Sequence, residues 1–162
     1  MTALASLALD ELMTSSITNV FATMLSLEVK PAFAPPGAEM PVTETVAGSV
    51  GFAGGACGVV YFRLPDDCAR NVAGTMLGMP GAELGETEVN DVIAELTNML
   101  AGDLKTRLGS AGFNCALSVP TVVRGRGLHI AALDRFGGSH EERHYECPAG
   151  STSLVVAIKA NQ

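Results

Sequence analysis

Glu95 and Asn98, three residues apart, are the side chains in this sequence best suited to chemistry on a partner. Residues three or four apart on an α-helix lie side by side. A carboxylate can pair with a cation, and a carboxamide can both donate and accept hydrogen bonds. Gly102 follows Asn98 by four residues, and it offers a place where another backbone could approach closely. The spacing indicates an acid and a carboxamide presented to a partner; an ordinary solvated helix face is the alternative.

A helix over Glu86–Ser110 must position these residues. Its apolar residues recur with the 3.6-residue period of a buried face, within roughly 80° of one another at ~100° per residue. They are Val89, Ile93, Leu96, Leu100 and Leu104. Opposite them lies a polar stripe of Asp91, Glu95, Asn98 and Gly102. Asn and Gly both lower helix propensity, Gly by about 1 kcal/mol relative to Ala, so a purely solvated face gains nothing from them.

The remaining pattern alternates helices and strands. Helices are predicted at 10–29 and 68–77, and an extended segment at 29–33 ends at the Pro35-Pro36-Gly37 break. Strands are predicted at 42–52, 56–64, 114–119, 121–124, 127–136 and 151–159, with Gly54-Gly55 as a hairpin turn. Residues 137–148 form a polar excursion. His129 is expected to be partly buried in its strand.

Two stretches recur along the chain. Ile17–Phe21 resembles Leu96–Leu100, and Gly58–Arg63 resembles Leu154–Lys159. The fold predicted is α+β, with one antiparallel sheet, two long helices on one face and a pseudo-twofold internal repeat. Chance similarity between short apolar runs is the alternative. Ser16 stands where the second half has Glu95, so only one copy keeps the acid. The apolar last strand could leave an edge open for self-association.

Composition limits the class of protein. The 162 residues fit a single domain, 48% hydrophobic and 17% charged, with a net charge of −7. This charge argues against nucleic acid and anionic membranes and favours a partner that presents a lysine. The first residues make a poor signal peptide, and no apolar run approaches the ~20 residues of a membrane span. Four cysteines could make two disulfides, but in a protein without a signal peptide they are expected to be buried free thiols, and the expected compartment is the cytoplasm.

Two further motifs suggest other chemistry. His140–His144 matches H-E-x-x-H, the pattern of zinc metalloproteases. Gly137-Gly138 and Pro148 leave little room for the helix that this pattern requires, so a polar hairpin tip is favoured over a metal site. The glycine-rich stretch 51–58 lacks the Gly-Lys-Ser/Thr ending of a phosphate-binding loop and is better explained by the hairpin turn.

The segment DVIAELTNMLAGD from Asp91, followed by LSVPTVVRG from Leu117, resembles the CheX branch of the CheC/CheX/FliY chemotaxis phosphatases. The family signature is E-x-x-N-x-x-x-G on a helix, with an L-S-x-P-T segment downstream. The resemblance extends from about Leu9 to Ile158, except for the part after Asp134. In CheC proteins both halves carry the motif, and Ser16 breaks the first copy here, as in the single-site CheX pattern.

The resemblance implies an enzyme that dephosphorylates a CheY-like response regulator. Asn98 would orient the attacking water, and Glu95 would pair with the regulator's phosphate-binding lysine. Asp91, Gly102 and Lys105 would contact the partner, although ordinary solvated charges remain the alternative for Asp91 and Lys105. The chain would need no cofactor or metal of its own, since Mg²⁺ would belong to the regulator. The resemblance also implies a homodimer. A binding module of the same fold that does not accelerate hydrolysis is the second hypothesis.

Overall fold

In a computed structural model of the chain, described over residues 4–33, 44–131 and 137–161, one antiparallel sheet carries three helices. The helices are α1 (Leu9–Val20), α2 (Asp66–Leu77) and α3 (Glu86–Ser110). The strands are β1 (Lys30–Ala32), β2 (Glu44–Gly54), β3 (Ala56–Pro65), β4 (Cys115–Leu117), β5 (Thr121–Arg126), β6 (Ser139–Cys147) and β7 (Gly150–Ala160). This is the α+β class that the sequence predicts.

The strand order has the symmetry expected of an internal repeat. It runs β1-β6-β7-β3-β2-β4, and β5 also pairs with β2. The central pair β3–β7 is flanked by β2 and β6, and these by β4 with β5 on one side and β1 on the other. The first strand of each half therefore pairs with the second strand of the other half. Strand β1 pairs with β6, and β4 and β5 pair with β2. This exchange joins the halves into one sheet with a pseudo-twofold axis at its centre.

Helices α1 and α3 pack side by side against one face of this sheet. All five apolar residues predicted for the buried face of α3 are at most 2% exposed. Helix α3 lies close to β2 because Gly48 has no side chain, and a Cβ there would overlap the hydroxyl of Thr97. Thr97 is itself fully buried and donates its hydroxyl to the Ile93 carbonyl at 2.6 Å. The lack of a side chain at Gly48 therefore lets α3 pack closely against the sheet.

Several predicted boundaries are wrong. The first helix is shorter than 10–29, because α1 gives way to a π-helical turn at Phe21–Leu25 that ends at Ser26, with φ of 53°. Strand β2, predicted at 42–52, extends to Gly54, two residues beyond its predicted end. The α3 boundaries, the Gly54-Gly55 turn and the end of α2 at Gly78 agree with the sequence. The Pro35-Pro36-Gly37 break lies outside the described residues.

The second half contains the larger errors. Residues 127–131, predicted as part of a strand, have no strand structure, and His129 is exposed rather than partly buried; 132–136 lie outside the described residues. Most of the predicted polar excursion is strand β6, whose polar side chains are accommodated because it lies near the edge of the sheet. Consequently β7 is paired on both sides and offers no open edge. No described helix is both long and apolar enough to cross a membrane.

Candidate functional site on α3

Helix α3 displays the polar stripe on its outer side. The helix begins after Gly85, whose N–H donates to the Glu88 carboxylate at 3.2 Å, and its apolar residues bind it to the sheet. Asp91 and Glu95 are exposed, whereas Asn98 and Gly102 are half-buried. Lys105, about two turns beyond Asn98, is exposed. The five predicted site residues therefore lie on one helix, pointing away from the core that fixes it.

Glu95 and Asn98 are free to bind something else. Within the described part of the chain, neither side chain has a hydrogen-bond or ion-pair partner. A Cβ at Gly102 would find no atom within 4 Å, so the surface beside Asn98 is open. The stripe thus combines a carboxylate, an unengaged carboxamide and a gap. It can bind a cation and orient a water molecule, but it contains no nucleophile or metal-ligand set.

The first half of α3 is held by a partly buried arginine. Arg124 on β5 donates from Nε to Asn90 Oδ1 at 2.5 Å and from Nη1 to Asp66 Oδ1 at 2.7 Å. Arg70 donates to the same carboxylate at 2.9 Å. Burial by itself raises the pKa of Asp66, but the hydrogen bonds from Arg124 and Arg70 outweigh it and lower the pKa below its usual value. This cluster joins β5, α2 and α3.

The equivalent patch on α1 differs chemically. Ser16 is 2% exposed, and its Oγ has no partner within hydrogen-bond geometry. Asn19 donates its carboxamide to Asp103 Oδ1 at 2.9 Å, and Arg107 donates to Asp103 Oδ2 at 2.7 Å. Burial raises the pKa of Asp103, but Arg107, nearby Ser16 and Asn19 together lower it below its usual value. The first copy therefore has its carboxamide engaged and no acid in the place of Glu95.

The L-S-x-P-T segment shapes the sheet edge. Strands β4 and β5 lie in tandem against β2, with the segment turning between them. Ser118 Oγ accepts from the Gly51 N–H at 2.8 Å, and Thr121 shares a hydrogen bond of 2.7 Å with Ser49. The serine hydroxyl thus satisfies an N–H of β2 where the ladder is interrupted between β4 and β5. The contacts of this segment are structural.

The H-E-x-x-H residues do not form a metal centre. On β6 the histidines His140 and His144 are four strand residues apart, about 13 Å along the strand, too far to share an ion. Glu142 pairs instead with Arg63 at 2.5 Å. No group of three or more metal-ligating side chains occurs within the described ranges. The hairpin-tip prediction is also wrong, since the motif is a paired strand. All four cysteines are free thiols, but only Cys68 and Cys115 are buried as predicted, whereas Cys57 and Cys147 are half-buried.

Asp103 and Arg124 were missed by sequence reasoning. The spacing of Asp103 and Arg107 indicates an i, i+4 ion pair on α3, but nothing local connects it with Asn19, 84 residues earlier. Arg124 lies three residues after the L-S-x-P-T segment and could have been singled out as a cation that follows two valines in a short strand. Its hydrogen-bond partners come from two other elements, α2 and α3, and only the tertiary structure brings them together.

A family model and a relative of known name both match most of this chain. The family model "Chemotaxis phosphatase CheX" matches residues 46–158. The "CheY-P phosphatase CheX" of Thermotoga maritima is 28% identical over 119 residues, which cover 73% of this chain and 76% of that protein. Both the α3 stripe and the L-S-x-P-T segment lie within the residues that the family model matches.

Solved structures show the same fold. The crystal structure of the chemotaxis protein CheX from Vibrio vulnificus has a TM-score of 0.78 and 26% identity, covering 98% of this chain and 100% of that one. A CheX–CheY–BeF3–Mg²⁺ complex from Borrelia burgdorferi has a TM-score of 0.63 and 19% identity, covering 93% and 97%. The family match spans well over half of the sequence, and the architecture agrees throughout: the chain belongs to the CheX family of chemotaxis phosphatases.

Proposed function

We propose that this protein dephosphorylates the aspartyl phosphate of a CheY-like response regulator at the outer face of α3. The observation that carries the proposal is the free carboxamide of Asn98, half-buried on a rigid helix beside Glu95 and the open surface at Gly102. The family match and the CheY-P phosphatase name of the Thermotoga maritima relative support it.

The proposed chemistry needs little from this chain. An acyl phosphate is already reactive, and phosphoryl transfer requires mainly positioning and neutralisation of charge. The carboxamide of Asn98 would hold a water molecule in line with the phosphorus, accepting from the water without any shifted pKa. A helix held by a packed core positions such a group better than a loop does. Gly102 would let the regulator approach closely enough for this short side chain to reach its site.

Glu95 would supply docking and charge balance. Its exposed carboxylate would pair with the regulator's phosphate-binding lysine, while Asp91 and Lys105 would contribute to docking at the border. This chain would carry no cofactor, and Mg²⁺ would enter with the regulator. The Borrelia burgdorferi relative was solved in a complex with CheY, BeF3 and Mg²⁺, which supports a regulator as the partner class. Since such regulators act in the cytoplasm, we place the reaction there.

A non-catalytic binding module is the second candidate, because the same surface could hold a regulator without hydrolysing its phosphate. Phosphorylated regulators from the host, incubated with and without this protein, separate the two functions when phosphate release is timed. A shortened lifetime for at least one regulator is expected. Unchanged lifetimes for every regulator, with binding detected, would leave the binding module.

We also propose that the chain forms a homodimer. The resemblance to CheX proteins motivates this, but the open edge predicted at β7 does not exist. Pairing through the sheet would have to use β1 or the β4–β5 edge, the outermost strands of the described sheet. Sedimentation at micromolar concentration should show twice the 16.7 kDa chain mass. A single species at the monomer mass would reject the dimer.

A further inference from the structure

We propose that Asp103 is a positioning residue that keeps the α1 copy of the motif closed and so directs the regulator to α3. The inference rests on the proposed function and extends it to the choice between two symmetry-related surfaces. It starts from the hydrogen bond that Asn19 donates to Asp103 across the α1–α3 contact, at 2.9 Å.

The hydrogen bond fixes the orientation of the carboxamide that catalysis would need. Asn19 occupies the place on α1 that Asn98 occupies on α3, and its side chain is exposed. Its Nδ2 is engaged by a carboxylate that Arg107 also holds, at 2.7 Å. A carboxylate accepts stronger hydrogen bonds than a neutral group does. Because the amide group is planar, holding Nδ2 on Asp103 also fixes the direction of Oδ1, the atom that would accept from water. Asn19 would have to leave Asp103 before it could turn this oxygen toward a water molecule, whereas Asn98 has no described partner to leave.

The charge pattern on α1 also opposes docking. On α3 the acid lies one turn before the asparagine, where it could meet a lysine. On α1 that place is taken by buried Ser16, and the carboxylate lies against the asparagine itself. An anion at this point would face the phosphoryl group of the regulator and repel it. Thr23, on the π-helical turn that follows α1, adds a side chain at the sequence position that matches Gly102. Three features thus prevent the α1 copy of the motif from binding a regulator productively. Among them, Asp103 acts directly on the carboxamide of Asn19.

Nuclear magnetic resonance tests the hydrogen bond without an activity assay. The side-chain amide signal of Asn19 is identified by its loss in Asn19→Ala. In Asp103→Ala its exchange with water should rise several-fold, because the acceptor is gone. The amide of Asn98 is the matched control and should not change. Equal exchange of the Asn19 amide with and without Asp103 would overturn the inference.

A gain-of-activity experiment tests the functional consequence. Asn98→Ala silences α3, and Ser16→Glu with Thr23→Gly gives α1 the acid and the gap. Activity should stay at the Asn98→Ala level in this triple variant and rise at least about ten-fold when Asp103→Ala is added. Equal activity in both, whether high or low, would overturn the inference.

Controls keep the two proposals separable. Ser16→Glu introduces a carboxylate at a buried position, so circular dichroism must show that both variants are folded; if they are not, the amide exchange decides the inference alone. An inactive wild-type protein would defeat the proposed phosphatase, but the exchange experiment would still show whether Asp103 holds Asn19.

Discussion

At the scale of single residues, the two polar groups of the stripe have different tasks. The carboxamide of Asn98 is half-buried and has no described partner, and its proposed contact with water exists only as the phosphate is attacked. The carboxylate of Glu95 is exposed, and its proposed ion pair forms when the regulator docks. Interactions made only in the transition state affect turnover, whereas those made on docking affect affinity.

Asn98→Ala should abolish catalysis and leave binding nearly unchanged. We expect turnover to fall by about a hundredfold, the usual cost of losing one transition-state hydrogen-bonding group. Helix stability should rise slightly, since Ala is a better helix former. Stopped-flow dephosphorylation and a titration of regulator affinity measure the two quantities. The matched control is Asn19→Ala, which should keep full activity. The assignment would fail if the control lost activity and Asn98→Ala kept it.

Glu95→Ala should weaken regulator binding by about 1–3 kcal/mol, and turnover should fall as well. The affinity loss should shrink at high salt, because part of it is screened electrostatics. Isothermal titration at two ionic strengths measures it. Glu11→Ala removes an exposed carboxylate from α1 and serves as the control. Equal effects from both substitutions would mean that only net charge matters.

At the scale of elements, α3 holds the site residues between a crowded inner face, packed on the sheet, and an open outer face. On its inner face, Thr97 packs into the space left by Gly48, so an added methyl group has no room there. On its outer face, Gly102 has empty space around it. The same substitution, Gly to Ala, should therefore have opposite effects at the two positions.

Gly102→Leu should keep the fold and prevent docking. Nothing in the protein lies within 4 Å of the added side chain, but the side chain would occupy the approach to Asn98. Activity should drop through lost affinity, while thermal stability is kept or increased. Thr106→Leu, one turn further along the exposed side, controls for bulk alone. Full activity in Gly102→Leu would show that the regulator does not approach at this point.

Gly48→Ala should destabilise the protein by about 1–3 kcal/mol, because the new Cβ overlaps the Thr97 side chain and pushes α3 from the sheet. Gly102→Ala, the matched control on the outer face, should stabilise it by about 1 kcal/mol. Urea unfolding measures both. A neutral result for Gly48→Ala would mean that α3 can shift outward without cost.

At the scale of the whole molecule, stability depends on two partly buried carboxylates that join separate elements. Asp66 connects α2 to β5 through Arg124, and Asp103 connects α3 to α1 through Asn19. The pKa of each carboxyl is lowered in the folded protein, mainly because arginine hydrogen bonds overcome burial. Each therefore stabilises the fold while it is ionised.

Acid should remove this contribution. A lowered folded-state pKa gives stability that is present above the ordinary value of 3.8 and is lost as pH falls through the folded value. Asp66→Asn should lower the free energy of unfolding at neutral pH and make its decline below that value less steep. Denaturant unfolding across an acid pH series measures both effects. Asp91→Asn, at an exposed carboxyl, is the control. An unchanged acid slope in Asp66→Asn would assign acid sensitivity to other groups.

Local patterns in the sequence determined much of the support for the site. The period of apolar residues on α3 predicts both its limits and its buried face, because one dominant core governs which side of a long amphipathic helix is inside. The Gly54-Gly55 turn and the Gly78 helix end depend on local backbone conformations that glycine favours. Glu95, Asn98 and Gly102 fall together for the same reason, since helical spacing alone brings them to one face.

Only the tertiary structure decided the features that depend on distant partners. In the sequence, strand β6 looks like a polar loop. The local pattern shows neither that this strand lies near the sheet edge nor that Glu142 pairs with Arg63. Strand β7 lies at the centre of the sheet instead of at an edge, because β3 of the other half and β6 pair with its two sides. Asn19 looks as available as Asn98 until Asp103 is brought beside it by the packing of α1 on α3. Helical periodicity places Asn19 and Asn98 on the outer sides of their helices, but long-range packing decides that Asn19 is engaged and Asn98 stays free.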